Sequence, residues 1–123
     1  AAMDPIKIYN ACGKFSLNES ADLVRRSKLV ITHDTGLMHI AAAFENPIIS
    51  LWGNTVPAFG MTPYFGADTR ATVHNRDTGI MQVNKLWCRP CSKIGFDKCP
   101  LGHFKCMNRI SVDKVISTVR KLL

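Results

Sequence analysis

An apolar run that ends in a polar turn and passes directly into an alanine-rich segment constrains the fold of this chain more than any other feature. Residues 29–33 have the pattern of a strand buried on both faces, and residues 37–44 have the pattern of a helix. The turn between them is Asp34-Thr35-Gly36. This arrangement places a carboxylate, a hydroxyl and free backbone N–H groups at the carboxyl edge of a sheet, where open α/β sheets bind ligands. A helix N-terminus attracts phosphate, so the segment predicts a nucleotide or nucleotide-sugar site.

Short apolar runs alternate with helical patterns along much of the chain. Strands are predicted near residues 6–9, 29–33, 48–52 and 71–74. Parallel strands joined by connections this short require helical crossovers. The predicted fold class is therefore α/β, a doubly wound three-layer sandwich with a parallel sheet between helices.

Local signals mark where the helices begin and end. Ser16 and Glu19 have the spacing of a capping box, which predicts a helix over residues 17–27. The inner face of that helix is predicted to carry Leu17, Ala21 and Val24. The second helix is expected to stop before Asn46-Pro47, because proline cannot continue a helix. Ser111 is predicted to cap a final helix over residues 111–122, whose apolar residues recur with a helical period.

The rest of the chain has no regular pattern. A length of 123 residues fits one compact domain, which is assigned to residues 6–123. Residues 1–5 have the composition of an expression scar and are set aside. The segment 53–69 is rich in proline and glycine and predicts a long loop at the ligand edge of the sheet. Residues 84–108 are predicted to form a cysteine-rich loop.

The net charge of +7 is distributed unevenly. Residues 1–84 contain seven Lys or Arg and seven Asp or Glu, whereas residues 85–123 contain nine Lys or Arg against Asp97 and Asp113. Such a basic segment fits an anionic partner (a phosphorylated substrate, a membrane surface or nucleic acid), and it fits an ordinary solvated face equally well. No apolar stretch approaches the ~20 residues needed to span a bilayer, and no signal-peptide core is present, so a cytosolic chain is expected.

Four of the five cysteines lie in the basic segment. They are Cys88, Cys91, Cys99 and Cys106, while Cys12 lies far upstream. One C-x2-C pair is typical of a zinc site, with His103 as a further ligand candidate, but the second half has no standard spacing. Metal ligation, disulfides and free thiols therefore stay open, with free thiols favoured. The same tail supports a hypothesis of another class, a small zinc-dependent nucleic-acid-binding module.

Three other interpretations compete for the Asp-Thr-Gly turn. An aspartic protease uses this triplet, but it requires a β environment and a second aspartate. A metal site from His33, Asp34 and His39 is disfavoured, because strand and helix spacing points the two histidines in different directions. Asp34 is also expected to cap the helix, which by itself leaves Gly36 and His39 unexplained.

The residues from 34 to 43, Asp-Thr-Gly-Leu-Met-His-Ile-Ala-Ala-Ala, resemble the signature of glycosyltransferase family 9, the heptosyltransferases of lipopolysaccharide core synthesis. The flanking sequence is similar to that family as well. The matching segments are Gly13-Lys14-Phe15-Ser16-Leu17, residues 46–55 with Gly53-Asn54-Thr55, Pro63, Cys88-Arg89-Pro90-Cys91, residues 99–103 and Cys106-Met107. The resemblance covers residues 6–123 in order.

The resemblance implies a two-domain GT-B enzyme, of which this chain is part of the Rossmann-like C-terminal domain that holds the nucleotide-sugar donor. Asp34 would bind sugar or ribose hydroxyls of the donor. The Thr35 hydroxyl, with the N–H groups of Thr35 and Gly36, would hold the diphosphate, and His39 would lie near the phosphates or brace the turn. No metal, cofactor or catalytic residue is assigned to this chain, because the family keeps its candidate base in the N-terminal domain.

The implied activity is inverting transfer of heptose from an ADP-activated donor to an anionic lipopolysaccharide-core acceptor. The resemblance implies a cytoplasmic protein with peripheral contact to the inner face of the cytoplasmic membrane and no nucleic-acid partner. The sequence departs from the family pattern, since it lacks the acceptor domain and the upstream donor contacts. The isolated chain is therefore expected to be inactive and to bind nucleotides weakly.

Overall fold

The computed structural model describes residues 7–65 and 78–123. Its helices and strands, in chain order, are α1 (Leu17–Arg25), β1 (Val30–His33), α2 (Gly36–Ala43), β2 (Ile48–Trp52), β3 (Thr78–Gln82), α3 (Lys105–Asn108) and α4 (Val112–Leu122). A short 3-10 helix, Pro57–Phe59, follows β2. Among these described helices, none has the length and apolar character needed to cross a membrane.

The three strands form one parallel sheet in the order β1-β2-β3. The β1–β2 register pairs Val30 with Ile48, and the β2–β3 register pairs Ile48 with Thr78. β1, α2 and β2 therefore form a parallel βαβ unit, in which the helix makes the crossover between adjacent strands. The predicted α/β class with a parallel sheet is confirmed.

Helices cover the two faces of β2. Because strand side chains alternate, Ile48 and Trp52 share one face, where they pack with Met38, Ala41, Ala42 and Phe65. α2 supplies three members of this core cluster, and α1 reaches it through Val24. Ile49 and Leu51 point to the opposite face, where α4 packs against β2. The three-layer arrangement of helix, sheet and helix is therefore present.

The signals at the helix ends were read correctly in most positions. The Ser16 hydroxyl accepts the Glu19 N–H and the Glu19 carboxylate accepts the Ser16 N–H, so the predicted capping box is confirmed. Ser111 caps α4, accepting the Lys114 N–H at 3.2 Å. α1 ends at Arg25 rather than at residue 27. Leu17 was wrongly placed on its inner face: it is 70% exposed, because α1 packs on the core through Val24 in a later turn.

The strand predicted at residues 6–9 is wrong over its described part, residues 7–9. These residues pair with no strand, and Ile8 and Tyr9 are exposed. Tyr9 instead contacts Phe15 at a ring-centroid distance of 6.3 Å, and the Lys14 Nζ lies 4.6 Å from the centre of the Tyr9 ring. Tyr9 therefore belongs to a small surface cluster with Phe15 and Lys14. The strand predicted at residues 71–74 lies outside the described residues.

The strand β3 was not predicted. Its Thr78-Gly79 pair resembles a turn, and glycine weakens a strand. The structure gives the reason for this glycine: a Cβ at Gly79 would lie 3.0 Å from the Thr118 Cγ2 of α4. A side chain at Gly79 would therefore crowd α4, which accounts for a glycine in this strand.

The strand β1 is less buried than its sequence predicts. It lies at the edge of the described sheet, and Ile31 is 50% exposed. Val30, on the alternate face, packs against the core cluster. Burial on both faces was therefore wrong for β1, since only the face that carries Val30 is covered.

Candidate functional site

A cleft of about 260 Å³ opens where β1 and β2 end. His33 and Asp34 line it from the end of β1, and Asn54 and Thr55 line it from the loop after β2. The cysteine-rich loop contributes Phe96, Asp97 and Phe104 to the same cleft. The carboxyl ends of parallel strands thus meet a cleft with a mixed polar and apolar lining, at the sheet edge where the sequence predicts a ligand site.

Among the described residues, one hydrogen bond holds Asp34 in this cleft. The Thr55 hydroxyl donates to its Oδ2 at 3.0 Å, and Thr55 is itself 8% exposed. Within the part of the chain that the structure describes, no other group donates to the Asp34 carboxylate. A half-buried carboxylate with one oxygen engaged retains acceptor capacity for ligand hydroxyls.

The N-cap of α2 is Thr35, so the expectation that Asp34 caps the helix is wrong. The Asp34 carboxylate binds Thr55 across the cleft and makes no capping contact. The Thr35 side chain does not cap the helix either, and its hydroxyl lies 3.2 Å from that of Thr32. Because Thr35 and Gly36 are exposed, the first N–H groups of α2 are left for water or an anion.

The structure brings three of the four predicted site residues together at one turn and leaves His39 outside the lining of the cleft. Asp34, Thr35 and Gly36 are consecutive at the β1–α2 turn, and a Cβ at Gly36 would meet no atom within 4 Å. His39 lies one turn into α2, half-buried, and it is not among the residues that line the cleft. The described residues contain no group of three or more His, Cys, Asp or Glu side chains arranged to hold a metal ion.

All five cysteines are free thiols. The four in the basic segment line a second cavity of about 380 Å³ beside Phe96, and the Cys88 Sγ lies 3.7 Å from His103 Nε2. Burial raises the pKa of the Cys91 thiol, and the neighbouring cysteines raise it further. Backbone hydrogen bonds, above all from Phe104, lower the pKa of Cys99. The described geometry gives no support to the zinc-dependent nucleic-acid module.

Arg89 is a structural residue of the site that was not predicted from the sequence. Its guanidinium donates to the carbonyls of Gly53 and Thr55 at 2.6 and 2.8 Å, and to Gln82 Oε1 at 2.9 Å. It therefore ties the cysteine-rich loop to the ends of β2 and β3. Burial lowers the pKa of Arg89, and the nearby Cys106 and Cys91 oppose that shift. Its position inside Cys88-Arg89-Pro90-Cys91 was the one signal available in sequence.

Several known proteins that are similar to this chain are named as heptosyltransferases. The family model for glycosyltransferase family 9 (heptosyltransferase) matches residues 2–96, which include four of the five residues set aside at the N-terminus. The chain is 30% identical over 117 residues to lipooligosaccharide heptosyltransferase 2 of Campylobacter jejuni, covering 95% of this chain and 33% of that protein. It is 38% identical over 76 residues to lipopolysaccharide heptosyltransferase 2 of Escherichia coli, covering 62% of this chain and 21% of that protein.

A shorter match has a higher sequence identity. Over 50 residues the chain is 50% identical to lipooligosaccharide heptosyltransferase 2 of Haemophilus influenzae, and this match covers 41% of this chain and 14% of that protein. No solved structure matches the chain. The chain spans about a third or less of the length of these relatives. Because the family model matches well over half of its residues, the chain belongs to glycosyltransferase family 9.

Proposed function

We propose that this chain is the donor-binding part of a heptosyltransferase that transfers heptose from an ADP-activated donor to the core of lipopolysaccharide. The observation that carries the proposal is the Asp34-Thr35-Gly36 turn at the carboxyl ends of β1 and β2, within a chain of family 9. The relatives are named as heptosyltransferases of lipopolysaccharide or lipooligosaccharide, which supports the sugar and the acceptor class.

The geometry of the cleft supports specific roles for the predicted residues. Asp34 accepts hydrogen bonds from hydroxyls of the donor sugar or ribose, through the acceptor capacity that Thr55 leaves open. The exposed N–H groups of Thr35 and Gly36, at the positive end of the α2 dipole, hold the diphosphate together with the Thr35 hydroxyl. His39, one turn along α2, braces this turn or lies near the phosphates.

The reaction in this proposal is an inverting displacement. A base in the N-terminal domain of the enzyme deprotonates the acceptor hydroxyl, which attacks the anomeric carbon while the bond to the ADP oxygen breaks. The negative charge that develops on the departing diphosphate is stabilised by the N–H groups at the start of α2. These donors are already in place before the reaction, so their reorganisation costs little free energy at the transition state.

The proposal is tested by assaying the full-length enzyme with a lipopolysaccharide-core acceptor and a panel of nucleotide-activated sugars. We expect transfer from ADP-heptose, with inversion at the anomeric carbon, and much weaker transfer from UDP- and GDP-activated sugars. Transfer from a different nucleotide-sugar alone would show that the proposed donor, ADP-heptose, is wrong. A full-length enzyme that transfers none of these sugars would refute the proposal.

The basic segment, residues 85–123, is proposed to face the anionic acceptor or the inner leaflet of the membrane. Apart from Arg89, all of its Lys and Arg residues are exposed, and its formal charge equals the whole net charge of +7. Basic residues near an anionic bilayer contribute ~1 kcal/mol each to membrane attraction. This attraction is screened beyond about 10 Å at 0.1 M salt, so the contact is expected to be peripheral and salt-sensitive.

Co-sedimentation with vesicles checks this surface. The full-length enzyme is expected to pellet with phosphatidylglycerol vesicles at low salt and to be released as the salt concentration rises. Vesicles of phosphatidylcholine alone serve as the neutral control. Equal pelleting with both lipids, or binding that high salt leaves unchanged, would mean that the basic segment does not act through its charge.

A further inference from the structure

The carbonyl of Thr55 is fixed by an arginine from a distant part of the chain. Arg89 Nη2 donates to the Thr55 carbonyl at 2.8 Å, while Nε of the same guanidinium donates to the Gly53 carbonyl at 2.6 Å. Nη1 bonds Gln82 Oε1 at 2.9 Å and the Val83 carbonyl at 3.1 Å. Because the guanidinium is a rigid planar fork, these bonds fix the loop after β2 relative to the end of β3.

The side chain of Thr55 transmits that position to the site. Its hydroxyl has one proton to donate, and this proton goes to Asp34 Oδ2 over 3.0 Å. Thr55 is 8% exposed, so water competes poorly for the bond. The chain of contacts runs from Arg89 through the backbone and hydroxyl of Thr55 to the carboxylate of Asp34. It fixes one carboxylate oxygen and leaves the other without a donor in the described residues.

We propose that Thr55 and Arg89 are positioning residues, which orient the Asp34 carboxylate for the hydroxyls of the nucleotide-sugar donor. This inference rests on the proposed function of the site. Thr55 acts through Asp34, so its contribution to catalysis depends on the presence of that carboxylate. Arg89 acts one step further away and holds Thr55 through its backbone carbonyl.

The test is a double-mutant cycle in the full-length enzyme, read as kcat/KM for ADP-heptose. Thr55→Val keeps the shape of the side chain and removes the hydroxyl, and Thr55→Ser keeps the hydroxyl as the matched control. Hydrogen bonds to charged groups contribute more free energy than those between neutral groups. Thr55→Val is therefore expected to lower kcat/KM about tenfold or more, mainly by raising KM for the donor. Thr55→Ser is expected to stay within about threefold of the wild type, since the bond is retained.

The same substitution is then made in an Asp34→Ala enzyme. If Thr55 works only through Asp34, Thr55→Val causes no further loss there, because coupled residues are not additive. An equal loss in both backgrounds, or a Thr55→Ser variant as impaired as Thr55→Val, would overturn the inference. Arg89→Lys keeps the charge but lacks the planar guanidinium fork. KM for the donor is therefore expected to rise in this variant, as it does for Thr55→Val.

Failure of this inference is distinct from failure of the proposed function. If the wild-type enzyme transfers heptose but the effects of the two substitutions are additive, the proposed function is supported and the positioning role of Thr55 is refuted. A wild-type enzyme without transfer refutes the function itself. Should Arg89→Lys fail to fold, as judged by circular dichroism, the Thr55 cycle still decides the inference.

Discussion

Replacing Asp34 with alanine in the full-length enzyme is expected to lower kcat/KM for the sugar donor about 100-fold, corresponding to ~3 kcal/mol of lost transition-state stabilisation. The carboxylate is the one acidic group at the β1–α2 turn, and it is oriented in the cleft by Thr55. Alanine removes the proposed acceptor for donor hydroxyls and leaves the Thr55 hydroxyl without its carboxylate partner. Steady-state kinetics with varied ADP-heptose measures the loss.

Asp113 supplies the matched control for this substitution. It is an exposed carboxylate in α4 and is not among the residues that line the cleft. Asp113→Ala changes the net charge by the same amount as Asp34→Ala, and we expect a change in kcat/KM of less than about fivefold, since exposed charges interact weakly. Wild-type turnover by the Asp34→Ala enzyme, with an unchanged melting temperature, would remove Asp34 from the site.

The largest effect on stability is expected for Trp52→Ala. The Trp52 side chain is completely buried among Met38, Ala41 and Ile48, and its indole N–H donates to the Ser50 hydroxyl at 2.9 Å. Truncating a buried aromatic residue typically costs about 3–5 kcal/mol, because a cavity remains where the ring was. That is a large share of the roughly 5–15 kcal/mol by which domains are stable.

Denaturation in urea, followed by far-UV circular dichroism, measures this loss in the full-length enzyme. Trp87→Ala is the control, since Trp87 is 85% exposed, and it is expected to change the free energy of unfolding by less than about 0.5 kcal/mol. The unfolding midpoint should therefore fall clearly for Trp52→Ala alone. Midpoints that agree between the two variants would show that Trp52 does not belong to a packed core around β2.

The βαβ unit was predictable because its signals are local. The β-branched run in β1, the capping box at Ser16 and Glu19, and the proline after Asn46 each act within a few residues, and each was read correctly. β3 was missed because its glycine is explained by contact with Thr118, which lies far along the chain. The exposure of Ile31 likewise depends on which elements pack beside β1, and no local pattern in β1 encodes that information.

The residues of the candidate site likewise divide into those that local sequence predicts and those that long-range contacts bring in. Asp34, Thr35 and Gly36 could be proposed from sequence, because a strand, a turn and a helix that are contiguous must place them at the sheet edge. The capping residue was misassigned by one position, since the Asp34 carboxylate is drawn to Thr55. Thr55 and Arg89 enter the site through contacts between segments 21 and 34 residues apart in sequence, which only the folded structure shows.

Hydrogen exchange of the full-length enzyme, with and without ADP-heptose, tests most directly whether the donor binds at the start of α2. The N–H groups there have no side-chain cap, so a bound diphosphate should slow exchange in peptides that cover Thr35, Gly36 and Leu37. The start of α4 is the internal control, because Ser111 already caps it and its exchange should not change. Slower exchange at α2 is the predicted result; donor-induced protection elsewhere, with α2 unchanged, would contradict the account.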